Sequence, residues 1–427
     1  MQARYNKISE DKTVVSSFTF AIYILFVFEF FMHLSSRYSF IGVLRPTVIF
    51  VLLLTILLIS QKDIFKQREK STIFSALNIL IIYLVVSLPL VEFPGSVIRM
   101  NLAVFVKAIA FFYFTALVID THKRLVFFLK VFVGTQVFRV LEPLFLHITT
   151  GYWGDRTYSG GGSFAGRLGG APADVINANE LGFVIVTAIP FLHYLLLPKG
   201  FLGKVLYFTL VIPMLFTLML TMSRGAFLAL IIIGWMIFKE SKNKITIIIL
   251  ALGLAVGMWT QMDDFQKDRY LSLVGASEKN SKTTEGRLNG IIHEFELGLV
   301  RPVVGHGLGT TGEAKYHALG RRQASHNMYG ELLIEIGLIG FILFLRYVFS
   351  IRKNLTELRS KLSEPDKQNK SFYFRLNQTL LAIVLMYAFY SINYWGLSQY
   401  YWYLLGGLVV AVTRLQSLDK KAKELKK

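Results

Sequence analysis

Apolar stretches of about 18 to 22 residues recur from one end of this 427-residue chain to the other, and no other feature limits its fold so tightly. At 1.5 Å of rise per residue, a helix of that length covers the roughly 30 Å hydrocarbon core of a bilayer. Every backbone N–H and C=O in that core must find its partner within the protein. The expectation is therefore an all-α fold, a polytopic transmembrane helical bundle forming a single integral membrane domain over residues 1–427. Reading each stretch against its flanks places spans near 16–35, 41–60, 73–92, 101–119, 125–148 and 178–197. Others follow near 205–222, 225–238, 245–260, 326–345, 374–394 and 401–416, about twelve in all.

The formal charge of +19 could point to nucleic acid. The Lys and Arg residues, however, fall in short clusters between apolar stretches, the pattern of loops retained in the cytoplasm. No nucleic-acid partner is expected. With the N-terminus cytoplasmic, alternate connections read QKDIFKQREK, DTHKR, PKGFLGK and KESKNK, followed by the basic loop 346–373 and the basic tail 414–427. All are basic, so both termini are expected on the cytoplasmic side. The first apolar stretch lacks a small-residue cleavage signature and reads as an uncleaved span. The chain has no cysteine, which excludes disulfides, thiolate metal sites and cysteine nucleophiles.

Two connections on the opposite side exceed a plain turn. Residues 149–177, TTGYWGDRTYSGGGSFAGRLGGAPADVIN, are rich in Gly and aromatic residues. Residues 261–325 carry both charge signs and are expected to form short helices and loop. The candidate chemistry lies in or beside these two segments, so the active site is expected to face away from the cytoplasm.

In TMSRGAFLAL, Arg224 sits at the turn between two short spans. It reads either as a snorkelling arginine anchoring a helix end or as an anion-binding residue aimed into a membrane-level cavity. In TTEGRLNGIIHEFELGLVRPVVGHGLGT, Arg287 opens an amphipathic segment whose Leu288, Ile291, Ile292, Phe295 and Leu299 recur at helical spacing. Pro302 should stop that helix, and Arg301 stands beside the stop. The following G-x-G-x-G has no preceding strand, so it reads as a tight turn and not as a dinucleotide fingerprint.

In RRQASHNMYGELLIEIGLIGFILFL, Arg321 and Arg322 precede His326 and Asn327, which open a span, with Ser325 or Asn327 available as N-cap. Glu335 lies within the apolar run and needs a partner there. A neutral His326 at a helix start, with cations nearby, is a candidate proton acceptor. Arg167, Asp174, Asn177 and Asn179 could rim a sugar site, although a Gly-rich loop followed by an Asn-capped helix explains most of that pattern. Arg139 and Glu142, three residues apart, read as an ion pair. His306, His317 and His326 are too scattered for zinc spacing, so no metal and no cofactor are expected.

The ordered set SRGAFLAL, GRLNG…RPVVGHGLGT and SHNMYGELLIEIGLIGFILF resembles the O-antigen ligase and polysaccharide polymerase family of bacterial membrane proteins, mainly over residues 178–345. The resemblance implies a GT-C-like membrane glycosyltransferase of the bacterial inner membrane with its site at the periplasmic face. It implies an undecaprenyl-diphosphate-linked glycan donor, and lipid A-core or a lipid-linked repeat unit as acceptor. It also implies that Arg224 and Arg287 hold the diphosphate and His326 is the base. Asn327, Arg301, Arg321, Arg322, Arg167, Asn177 and Asn179 are the further substrate-binding candidates. Ligase is preferred and polymerase is the alternative. The reading from another class is a secondary transporter, against which stand polar candidates at the interface and two unlike halves.

Overall fold

The computed structural model describes residues 13–61, 64, 71–154, 166–174, 176–262, 264–271, 278–325, 327–362, 368, 370–394 and 396–424. Among them there is no strand. The chain runs through α1 (Ser17–Met32), α2 (Pro46–Ser60), α3 (Thr72–Ser87), α4 (Pro94–Val118) and α5 (His122–Thr150). It continues through α6 (Ala178–Leu196), α7 (Gly200–Thr221), α8 (Arg224–Glu240), α9 (Lys244–Gln261) and α10 (Asp264–Leu271). The last helices are α11 (Glu278–Val300), α12 (Thr311–Leu319), α13 (Met328–Lys361), α14 (Phe372–Tyr390) and α15 (Tyr400–Glu424).

Each apolar stretch read from the sequence falls on one of these helices. Of the helices, α4, α6, α7, α9, α13 and α14 are long and apolar enough to cross a membrane, while α1, α2 and α3 are shorter apolar helices. The protein is an all-α polytopic membrane protein. Many outward-facing side chains along the helices are apolar, as with Ile56, Ile82, Ile212 and Ile342, which suits lipid. The interior is aromatic: Phe26, Phe111, Phe112, Tyr347 and Trp402 are fully buried along the packed faces of α1, α4, α13 and α15.

Local sequence sets the helix ends. Thr121 caps α5 through Arg124 N, and Gly151 closes it in the left-handed region at φ 71°. Inside α6, Pro190 cannot donate an N–H, and the helix widens directly after it into a π turn at Leu192–Leu196. Pro302 does terminate α11, which ends at Val300.

The largest irregularity is in α13. Gly337 has φ 63° and ψ −174°, a conformation essentially confined to glycine, and it breaks the helix into two halves. Four of the groups released by the break find partners elsewhere in the fold. Ile334 O accepts from His306 N at 2.8 Å, Glu335 O from Gly307 N at 2.9 Å, and Ile336 O from the Tyr83 hydroxyl at 2.8 Å. Leu338 N donates to Pro302 O. A Cβ at residue 337 would lie 2.4 Å from Val303 O. Gly337→Ala is therefore expected to cost at least about 2 kcal/mol, read as a lower melting temperature of the detergent-solubilised protein.

Candidate functional site

At one end of the bundle α7 passes into α8 through only Met222 and Ser223. Met222 takes the left-handed conformation at φ 46°, and the Ser223 hydroxyl accepts from Ala226 N to cap α8. Ala226 packs against α6 where Gly182 leaves room: a Cβ there would come within 2.6 Å of the Ala226 methyl. This local chemistry accounts for the Ser and the Ala of S-R-G-A. Arg224 is the first residue of α8 and only 8% exposed.

The segment before α6 braces the same turn. Leu168 N donates to Leu220 O at 2.9 Å. Arg167 donates through Nε to Thr221 O at 2.9 Å and through Nη2 to Asn179 Oδ1 at 2.6 Å. Asn177 and Glu180 form a reciprocal capping box at the start of α6. Asn177→Ala is expected to lower stability by about 1 kcal/mol, visible as a melting shift.

Asp174 belongs to this brace and not to an open rim. It is 1% exposed and receives Arg139 Nε at 2.7 Å and Nη2 at 2.9 Å. His33 Nδ1 lies 2.8 Å from its Oδ1. Burial alone would raise its pKa, but contact with His33 and the Arg139 guanidinium win and hold it at about 2. The ion pair expected between Arg139 and Glu142 does not form; Glu142 pairs with Arg37 instead. Three residues apart on α5, the two side chains diverge toward separate partners on other segments.

The G-x-G-x-G stretch forms the tight turn expected, with Gly305, Gly307 and Gly309 all at positive φ. It also supplies what Glu335 needs. Gly309 N donates to Oε2 and the Thr311 hydroxyl to Oε1, both at 2.8 Å. One turn earlier, Glu331 Oε2 accepts from Gly396 N at 2.7 Å. His306 fastens the turn laterally, Nδ1 to Glu92 and Nε2 to Leu297 O.

Between these elements lies a cavity of about 380 Å³. Ser223 and Gly225, on either side of Arg224, line it together with Asn179. Facing them are Gly290 and Glu294 of α11, Lys315 of α12 and Arg321. Tyr390 and Asn393 close it at the end of α14, the Tyr390 hydroxyl donating to Asn179 O at 2.6 Å. Glu294 is 4% exposed and joins three segments: Oε1 accepts from Lys315 Nζ at 2.6 Å and Oε2 from the Ser325 hydroxyl at 2.8 Å.

Of the candidates named from the sequence, Asn179 and Arg321 line this cavity, and Arg224 stands between two residues that do. Asn327 is the N-cap of α13, its side chain accepting from Tyr329 N and Gly330 N. Arg301 turns toward the α3–α4 connection, with Nη2 3.4 Å from Leu90 O and Nη1 3.7 Å from Glu92. Arg322 lies over the Tyr316 ring at 5.7 Å. Arg287 belongs to α11, but its side chain, like the whole of His326, lies outside the described residues. Among the described residues no three His, Asp or Glu side chains gather as metal ligands. Sequence reasoning missed Glu294, Lys315, Tyr390 and Asn393. A charged residue inside the amphipathic α11 pattern was the available signal for Glu294.

The arrangement offers a partly open space with charged and polar side chains on its wall beside the N-terminus of α8, where the helix dipole favours an anion. Residues 209–345 match the model of a family described as O-antigen ligase, the family that the motifs resemble. No curated protein matches the chain.

Proposed function

We propose that the protein transfers glycan from a polyprenyl-diphosphate carrier to an acceptor hydroxyl at the outer face of the bacterial inner membrane, acting as a ligase onto lipid A-core. The family match supports the coarser statement, an O-antigen ligase type of membrane enzyme acting on lipid-linked glycan. The observation that carries the finer one is the cavity, lined by the neighbours of Arg224, by the helix that bears Arg287, and by the strand of chain leading to His326.

In this reading the acceptor oxygen attacks the anomeric carbon and the bond from that carbon to the diphosphate oxygen breaks. The electron pair leaves with the polyprenyl diphosphate, and His326 takes the hydroxyl proton. Arg224 and Arg287 stabilise charge on the departing diphosphate. Direct displacement inverts the anomeric centre, and anomer analysis of the product checks it.

The test is glycan analysis in a strain lacking the gene, complemented with wild type or His326→Ala. Long glycan held on its carrier beside bare lipid A-core is the expected result, reversed only by wild type. Accumulation of single repeat units would assign polymerisation instead. No change in either pool would overturn glycan transfer, and gradient-dependent uptake into vesicles would then support a transporter.

A further inference from the structure

Lys315 is a buried cation, 6% exposed, on the wall of the cavity. Its Nζ donates to Glu294 Oε1 at 2.6 Å and to Ala324 O at 3.3 Å. An ammonium has three donors and no acceptor. Two are thus engaged by the protein, and the third is left to whatever occupies the space that the residue lines. Its orientation is fixed from two sides, by α11 through Glu294 and by the chain after α12 through Ala324.

A purely structural account makes Lys315 the neutraliser of Glu294. Stability alone selects such a pair poorly, because two buried charges gain little over apolar side chains of the same size. The placement supplies the missing reason. Arg321 lines the same cavity, so the wall facing Ser223 and Gly225 carries two cations against the single Glu294 carboxylate, and that carboxylate is shared with Ser325. A partly desolvated ammonium with a free donor is suited to an oxyanion.

We propose that Lys315 binds a diphosphate oxygen of the lipid-linked donor, a cation additional to the two arginines, with Glu294 fixing the position of its head. This deepens the function proposed above and rests on a diphosphate being the donor's carrier group.

The test is titration of the purified, detergent-solubilised protein with inorganic pyrophosphate, followed by calorimetry, with orthophosphate as control. The double variant Glu294→Gln/Lys315→Met removes both charges together and so leaves no unpaired charge behind. It is expected to fold and to bind pyrophosphate about tenfold or more weakly, the loss of one charge-assisted hydrogen bond. A merely structural Lys315 would change the melting temperature and leave pyrophosphate affinity where it was, which overturns the inference. Arg224→Ala separates the two levels of the argument. Weaker binding in Arg224→Ala with none lost in the double variant overturns the role of Lys315 alone. Affinity unchanged in both, or a wild type that does not bind pyrophosphate in preference to orthophosphate, overturns the diphosphate reading as well.

Discussion

Arg224→Ala is expected to lower glycan transfer by about 10²–10³-fold while leaving the protein folded and inserted. Arg224 is the first residue of α8, at the positive end of that helix, and Ser223 and Gly225 on either side of it line the cavity. Charge placed in advance in a space of low dielectric stabilises a leaving group far more than the same charge in water. Arg224→Lys keeps the charge and loses the planar fork, so it should recover only part of the rate. The measurement is initial rate with purified protein and a lipid-linked donor. A rate for Arg224→Ala within about threefold of wild type, with an unchanged melting profile, would remove Arg224 from the reaction and return it to an anchoring role.

The largest expected effect on stability is at the brace behind the site. Arg139→Met leaves Asp174 charged, 1% exposed and without its bidentate partner, at a cost of about 3–5 kcal/mol. Arg139→Met/Asp174→Asn, which removes both charges, should restore most of that loss. The pH dependence follows from the depressed Asp174 carboxyl, about 2 in the folded protein against the ordinary 3.8. A carboxyl whose folded pKa is lowered contributes stability in full above the unfolded value and loses it as pH falls through the folded one. Melting temperature should thus drop for the wild type between about pH 4 and pH 2, and this increment should be missing in the double variant. Equal acid sensitivity in the two proteins would show that the bridge contributes nothing to acid stability.

Where the sequence was legible, the physics was local. Apolar stretches long enough for a bilayer became helices, Pro302 ended α11, Asn327 capped α13, and the glycine-spaced run after Pro302 became a turn. What stayed hidden depended on distant partners. Arg139 chose Asp174 over the neighbouring Glu142, because a carboxylate from the loop before α6 meets both ends of the guanidinium at once. The α11 pattern was read from its apolar residues, yet Ile292 and Leu299 are exposed, at 48% and 62%, whereas Glu294 is buried. A helix against a bilayer can turn aliphatic side chains outward and keep polar ones for its protein neighbours, so its apolar stripe does not mark the inward face. Lys315, in GEAKYHALG, carries no local signal at all, and its placement appears only when α11 and α12 meet.

The break at Gly337 has a consequence for how the protein can be cut and recombined. The turn at residues 305–309 and the interrupted helix complete each other's backbone hydrogen bonds, so neither is a self-sufficient part. A chimaera that exchanges the glycine turn but keeps a straight helix from another protein would bring N–H groups with no carbonyls to receive them. One that imports Gly337 alone would strand Ile334 O and Glu335 O. Residues 302–338 must travel together, with Tyr83 supplying the hydroxyl for Ile336 O, and the natural seam for grafting lies beyond Leu338, where α13 resumes its ordinary course.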